Sequence, residues 1–179
     1  AYRMARDGIR DSDFFGLRSR PFILGISGDS GSGKDTLSSA VEGLFGSHSV
    51  ASISGDDFHM WDRDQPLWQT TTHLNPRAND LAAMAKSVIE LSESRSISVN
   101  RYDHAIGRFN ESSSLAHNDF VLVSGLLVFY VPQLRERCDA SIFLDMDEGL
   151  RRRLKFERDV VERGHSVESV KKVLDDRED

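Results

Sequence analysis

The chain has 179 residues, 39% hydrophobic and 29% charged, with a net charge of −6. That balance suits one α/β domain with a sizeable core and argues against general nucleic-acid binding, which calls for a basic face. A single cysteine, Cys138, excludes an internal disulfide and a thiolate metal site and points to a reducing compartment.

Residues 1–20 hold no apolar stretch of the kind a secretory signal needs, and they read as an N-terminal extension of a domain over residues 21–179. The chain begins at Ala1 rather than Met, which reads as a fragment or a processed chain. Missing signals and low cysteine use point to the cytoplasm. The longest apolar runs, Phe120–Val123 and Leu126–Val131, are too short to span a bilayer, so no membrane partner is expected.

Phe22–Ser27 predicts a first strand, and Leu37, Val41 and Leu44 share one face of a predicted helix from Lys34 to Phe45, which Gly46 stops. Between them lie Gly28, Asp29, Ser30, Gly31, Ser32, Gly33, Lys34, Asp35 and Thr36. Strand, Gly-rich turn and Lys at a helix start are the context of a phosphate-binding P-loop. The glycines permit a tight turn and keep side chains away from the backbone N–H groups. The helix start adds unpaired N–H groups and a positive dipole end, and Lys34 reaches toward the β- and γ-phosphates of a nucleotide. An ordinary Gly/Ser-rich βα loop is the alternative. One position departs from the pattern: the residue after the Lys is usually a Ser or Thr whose hydroxyl binds Mg²⁺, whereas here it is Asp35, with Thr36 next.

A second strand, Val50–Ser54, ends in Gly55-Asp56-Asp57, and a polar, aromatic loop runs on to Pro76. Leu81, Met84, Ala85, Val88 and Leu91 have helical spacing, and Ile97–Tyr102 alternates like half of a hairpin. Ser112–Ser114 reads as an exposed loop, and Phe120–Val123 and Ile142–Leu144 as buried strands. Leu150, Leu154 and Val161 mark a long helix that Gly164 ends, and Ser166 caps a last helix. Alternating strands and helices predict a P-loop NTPase-type three-layer α/β fold, with a mostly parallel sheet covered on both faces. Ligands of such sheets sit at the C-terminal strand ends, so Asp56 and the P-loop should face one crevice. A carboxylate there suits phosphoryl transfer, orienting an acceptor hydroxyl and taking its proton.

Other residues have plainer readings. Asp57 suits a turn or a support behind Asp56. His59 stands between an acceptor contact and a solvated loop; His73 reads as structural, and His48, His117 and His165 as surface residues. Trp61 and Trp68 stand between stacking on a ligand and packing of a long loop, the latter the commoner reading for Trp, and Arg151-Arg152-Arg153 suits a solvated helix face.

Several motifs in order give the chain a family resemblance from about Pro21 onward. Gly25–Lys34, Asp56-Asp57-Phe58-His59, Thr72–Asn79, Tyr102-Asp103-His104 and Arg158–Ser166 resemble motifs of the phosphoribulokinase/uridine kinase family of P-loop kinases, nearer its phosphoribulokinase side. The resemblance implies ATP and Mg²⁺ and Asp56 as catalytic base beside Lys34; with a Ser at position 124, the metal is expected on Thr36 and on one of Asp56 or Asp57, Asp56 first. It implies that His59, Arg63, Tyr102 and His104 hold the acceptor, and that Lys155, Arg158 and Arg163 lie on a basic lid helix, Arg158 toward the nucleotide and Arg163 toward the acceptor. Two departures stand out. The family's Glu-Gly after the third core strand, whose Glu helps hold Mg²⁺, is Ser124-Gly125 here. The family also continues to a further strand of the sheet, which this chain lacks unless it is a fragment or a second copy, in a homodimer, supplies it.

The leading expectation is therefore an ATP-dependent kinase acting on a hydroxyl of a sugar or sugar phosphate. A uridine/cytidine-type nucleoside kinase and a non-catalytic nucleotide-binding regulatory protein stay open, the latter because of Ser124.

Overall fold

The computed structural model describes residues 20–162 together with Gly164, Ser166–Glu168, Val170 and Lys171. The expected N-terminal extension, Arg163 and His165 lie outside the described residues.

The elements run β1 (Phe22–Gly28), α1 (Lys34–Phe45), β2 (Val50–Ser54), α2 (Pro66–Thr70), α3 (Leu81–Ser92), β3 (Ile97–Asp103), β4 (Arg108–Leu115), β5 (Phe120–Gly125), α4 (Pro132–Arg137), β6 (Ala140–Leu144) and α5 (Glu148–Glu157). A wider π-helical turn, Arg158–Glu162, follows α5. Local chemistry explains the helix starts. The Asp80 carboxylate accepts the Ala83 N–H at 2.9 Å to open α3, and Asp147 accepts the Leu150 N–H at 3.0 Å to open α5.

Four parallel strands form the main sheet in the order β2-β5-β1-β6. Strand alternation sends its apolar side chains into two cores, one on each face. Ile23, Ile53, Val121 and Val123 meet Met84, Val88 and Leu91 of α3 on one side. Leu24, Ile26, Val50 and Leu122 meet Leu37, Val41 and Phe45 of α1 on the other. This is the expected three-layer arrangement. The register sets Ser54 of β2 and Ile26 of β1 level with Ser124 of β5, so these C-terminal strand ends open at one height.

Three local expectations change. Ser112–Ser114 is strand rather than loop: the run lies in β4, paired with β3 through Asn100–Ser112, Val99–Ser113 and Ser98–Ser114. β4 is solvent-facing along most of its length, so it carries no apolar alternation to read. Ile142–Leu144 lies in an edge strand instead of a buried one; β6 pairs with β1 alone among the described residues and leaves Phe143 65% exposed. The helix expected to continue through Val161 widens after Glu157, where Lys155 and Asp159 close an ion pair at 2.7 Å, and Val161 faces solvent.

Candidate active site

The sheet order places the site. β5 lies between β1 and β2, so the loop after β1 and the turn after β2 stand two strand spacings apart, about 10 Å. Ser124 is the penultimate residue of the strand in the gap. A cavity of about 260 Å³ opens there, with Ser30, Gly31, Lys34 and Asp35 on one wall, Asp56, His59, Arg63, Tyr102 and His104 on the other, and Ser124 and Gly125 at its base. Arg158 contributes from the turn after α5.

Gly31 and Gly33 take left-handed φ values of +88° and +87°, as the tight loop requires. Gly31 also lacks the space for a side chain, since a Cβ would stand 2.9 Å from the Lys155 Cβ. No side chain caps α1, whose N-cap is Gly33, so its first N–H groups remain available to an anion. Lys34 donates its Nζ to the Asp29 carbonyl at 2.7 Å. Burial pulls its pKa below the usual lysine value, while the charges of Asp35, Asp56 and Asp29 act in the opposite sense. Gly28, Asp29, Ser32, Gly33 and Thr36 shape the loop and helix start without lining the cavity, and Thr36 is exposed.

Asp56 stands in the short 3₁₀ turn Gly55–Phe58, its N–H held by the Ser54 hydroxyl at 3.3 Å. His104 Nε2 lies 2.9 Å from its Oδ2, and His59 Nε2 lies 3.6 Å from its Oδ1. Burial pushes this carboxyl up, but the His104 hydrogen bond and the fields of His59, His104 and His73 outweigh it and hold it well below the usual carboxylate range. Asp56 is thus an ionised acceptor facing the P-loop lysine. The tautomer of His59 follows from Asn79. The Asn79 amide donates to the His73 and Asn75 carbonyls at 2.9 and 3.0 Å, so its oxygen faces His59 and accepts the Nδ1–H at 2.9 Å. The Nε2 on the other side of the ring points toward Asp56. Burial pulls the His59 pKa below its usual value, against the Asp56 charge and the Asn79 bond.

Asp57 supports the opposite wall. It is buried, and its carboxylate accepts Arg101 Nη1 at 2.7 Å and the Tyr102 N–H at 2.9 Å. Arg101 also reaches the Ser52 carbonyl at 2.9 Å. The β3–β4 hairpin is thereby pinned to the end of the sheet, and Tyr102 and His104 are carried into the cavity. Arg63 closes the same wall: its N–H meets the Gly107 carbonyl at 2.8 Å and its Nη2 the His104 carbonyl at 2.9 Å.

Sequence reasoning missed part of this wall. Trp68 stacks on Tyr102 at 6.1 Å and on His73 at 5.6 Å, and His59 meets the edges of Trp68 and Tyr102 at 5.4 and 5.0 Å. Trp68 and His73 both line the cavity, so His73 is more than a turn residue. The signal was an aromatic and two histidines within one long loop. Arg151 corrects the expectation of a solvated face: it is 7% exposed and reaches the Ser30 carbonyl and the Asp29 carboxylate, both at 3.0 Å, clamping the P-loop to α5.

No group of three or more His, Cys, Asp or Glu side chains forms a metal cage among the described residues. The cavity does offer hard oxygen donors, the carboxylates of Asp35 and Asp56 and the Ser124 hydroxyl. Such a set fits Mg²⁺, which takes one or two carboxylates and completes its shell with waters and phosphate oxygens.

The sequence matches the Phosphoribulokinase / Uridine kinase family over residues 23–179. It is 33% identical over 151 residues to a phosphoribulokinase of Synechocystis sp., an alignment covering 84% of this chain and 46% of the relative. It is 31% identical over 155 residues to a uridine kinase of Ligilactobacillus salivarius, covering 85% of this chain and 73% of the relative. The solved phosphoribulokinase from Rhodobacter spheroides shares the fold, with a TM-score of 0.63 at 21% identity, covering 86% of this chain and 61% of that one. The chain spans about half the length of the phosphoribulokinases it matches. With the P-loop, the Asp56 turn and the hairpin wall in one cavity, the chain belongs to the phosphoribulokinase/uridine kinase family.

Proposed function

We propose that this protein is an ATP-dependent kinase that transfers the γ-phosphoryl group to a hydroxyl of a sugar or sugar phosphate. The observation that carries the reading is the ionised Asp56, held by His104 at 2.9 Å in the same cavity as the P-loop lysine. An acceptor hydroxyl placed between them would donate its hydrogen bond to Asp56. As its oxygen bonds to the γ-phosphorus and the bond to the β-phosphate oxygen breaks, the proton passes to Asp56. Lys34 and Arg158 spread the charge on the transferring group and the leaving diphosphate. Mg²⁺, when bound, neutralises phosphate charge. His59, Arg63, Tyr102 and His104 form the acceptor wall, and a guanidinium among imidazoles suits a phosphorylated acceptor. Cys138 as a free thiol supports a cytoplasmic setting.

A nucleoside acceptor is favoured by one feature, the Trp68 face stacked along Tyr102 and His73, which is the kind of surface on which a base lies. ATP consumption measured across sugars, sugar phosphates and nucleosides tests both readings. Turnover with a sugar or sugar phosphate is expected. Turnover with uridine or cytidine alone transfers the assignment to the nucleoside kinases, and no turnover with any acceptor refutes the enzyme reading.

A further inference from the structure

Two departures from the family pattern meet in this cavity. The position after the P-loop lysine usually carries a hydroxyl, and here it carries the carboxylate of Asp35. The end of β5, where the resemblance implies a metal-holding carboxylate, carries the hydroxyl of Ser124. Both residues line the same cavity. We propose that Asp35 and Ser124 have exchanged parts, so that Asp35 is the carboxylate that holds the divalent cation on the nucleotide, with the Ser124 hydroxyl beside it. The inference rests on the nucleotide-binding reading of the site and deepens it.

Electrostatics gives the reason. An acid in the first turn of α1 shares the dipole end and the N–H groups that a phosphate would use. With no cation between them, Asp35 repels the triphosphate that the loop is shaped to receive; a divalent cation turns that repulsion into a bridge. Asp35 is also poised for it. Its carboxylate makes no hydrogen bond or ion pair among the described residues, and it is the foremost of the charges acting on Lys34. Ser124 supplies an independent observation: it is 7% exposed, lies at the base of the cavity, and its hydroxyl makes no hydrogen bond among the described residues. That hydroxyl opens onto the cavity, where a ligand that enters can meet it. The exchange leaves the number of carboxylates at the site unchanged. It also gives Thr36, exposed and away from the cavity wall, no part in holding the metal.

The test measures binding rather than turnover. The probes are β,γ-imido-ATP, followed by calorimetry, and Mn²⁺, followed by its electron paramagnetic resonance in the ternary complex. Asp35→Ser and the shape-preserving Asp35→Asn should each weaken Mn²⁺ by about tenfold or more, the scale seen when a metal site loses a supporting group. In EDTA the same variants should bind the nucleotide as tightly as the wild type or more tightly, because a repelling charge has gone. The double variant Asp35→Ser/Ser124→Glu should recover Mn²⁺ affinity to within about threefold of the wild type, as compensation between neighbouring sites predicts. Unchanged Mn²⁺ affinity in both single variants, or a double variant no better than Asp35→Ser, overturns the exchange while leaving the kinase reading intact. A wild-type chain that binds no nucleotide, with or without Mn²⁺, overturns both.

Discussion

Asp56→Asn separates chemistry from binding. The amide keeps the size of the carboxylate, and its oxygen can still accept the His104 Nε2–H now made at 2.9 Å, so the cavity should hold its shape. What disappears is the group that takes the acceptor's proton. Loss of a positioned base costs about 10²- to 10⁴-fold in rate, or roughly 3–5 kcal/mol in the barrier. The nucleotide contacts lie on the opposite wall, so the KM for ATP should stay within about threefold, the pattern of an interaction made only in the transition state. The carboxylate also marks stability. Its pKa is depressed in the fold, so its contribution is present above the unfolded value of about 3.9 and is lost as pH falls through the folded value. The variant should therefore melt below the wild type at pH 7, and the gap should narrow on acidification. Single-turnover quench-flow with labelled ATP and the acceptor found in the panel gives the rate, and calorimetry gives the affinity. A variant that transfers phosphate at the wild-type rate refutes the assignment of Asp56 as the base.

Lys34→Ala should weaken nucleotide binding by about tenfold or more, since a charge-assisted bond contributes roughly 1.5–3 kcal/mol; equal affinity in calorimetry would remove the P-loop reading. Asp57→Ala should cost about 2 kcal/mol in denaturant unfolding, because it leaves the Tyr102 N–H and one face of Arg101 without their acceptor. It should also raise the acceptor KM more than the ATP KM, and an equal rise in both would break the link between Asp57 and the hairpin wall. His59 has a depressed pKa in the fold, so its contribution to stability is complete above the unfolded value of about 6.5 and fades as pH falls through the folded one. The wild type should thus lose melting temperature faster than His59→Gln between pH 7 and pH 5, and parallel profiles would sink that account.

The parts legible in the sequence are those fixed by short-range pattern. β1, the P-loop and α1 were readable because apolar alternation, glycine and helical spacing change over within one stretch. The Asp56 turn was readable because it follows a strand in a parallel sheet, where strand ends carry ligands. β4 was not, because an exposed strand has no buried face to imprint on its residues; its pairing with β3 alone defines it. Arg151 failed for a related reason. A helix period shows which residues share a face, and only the docking of α5 on the P-loop tells that an arginine on this face is covered. Trp68 sits in the short α2 and His73 in the irregular stretch after it, and the stacking of Trp68 on both His73 and Tyr102 depends on the Asp57–Arg101 tie two elements away.

Position 124 shows how topology turns such separate signals into chemistry. Because β5 lies between β1 and β2, Ser124 near its C-terminal end sits between the nucleotide loop and Asp56. A cation that must touch the transferring phosphate and stay near the base has its natural protein ligand at that midpoint. When the midpoint offers only a hydroxyl, the missing charge has to come from a flank. Asp56 is the flank on the β2 side, and His104 at 2.9 Å already engages it. Drawing it onto a metal would weaken the acceptor hydrogen bond that the reaction needs. The β1 flank has no such conflict: Asp35 stands one residue after the lysine, on the cavity wall, with no hydrogen-bond partner among the described residues to lose. Metal and base can then be held by different carboxylates, one on each side of Ser124. That division is why the same Asp56→Asn substitution should abolish most turnover yet leave Mn²⁺ affinity close to the wild type. A large loss of Mn²⁺ in Asp56→Asn would mean that one carboxylate serves both tasks.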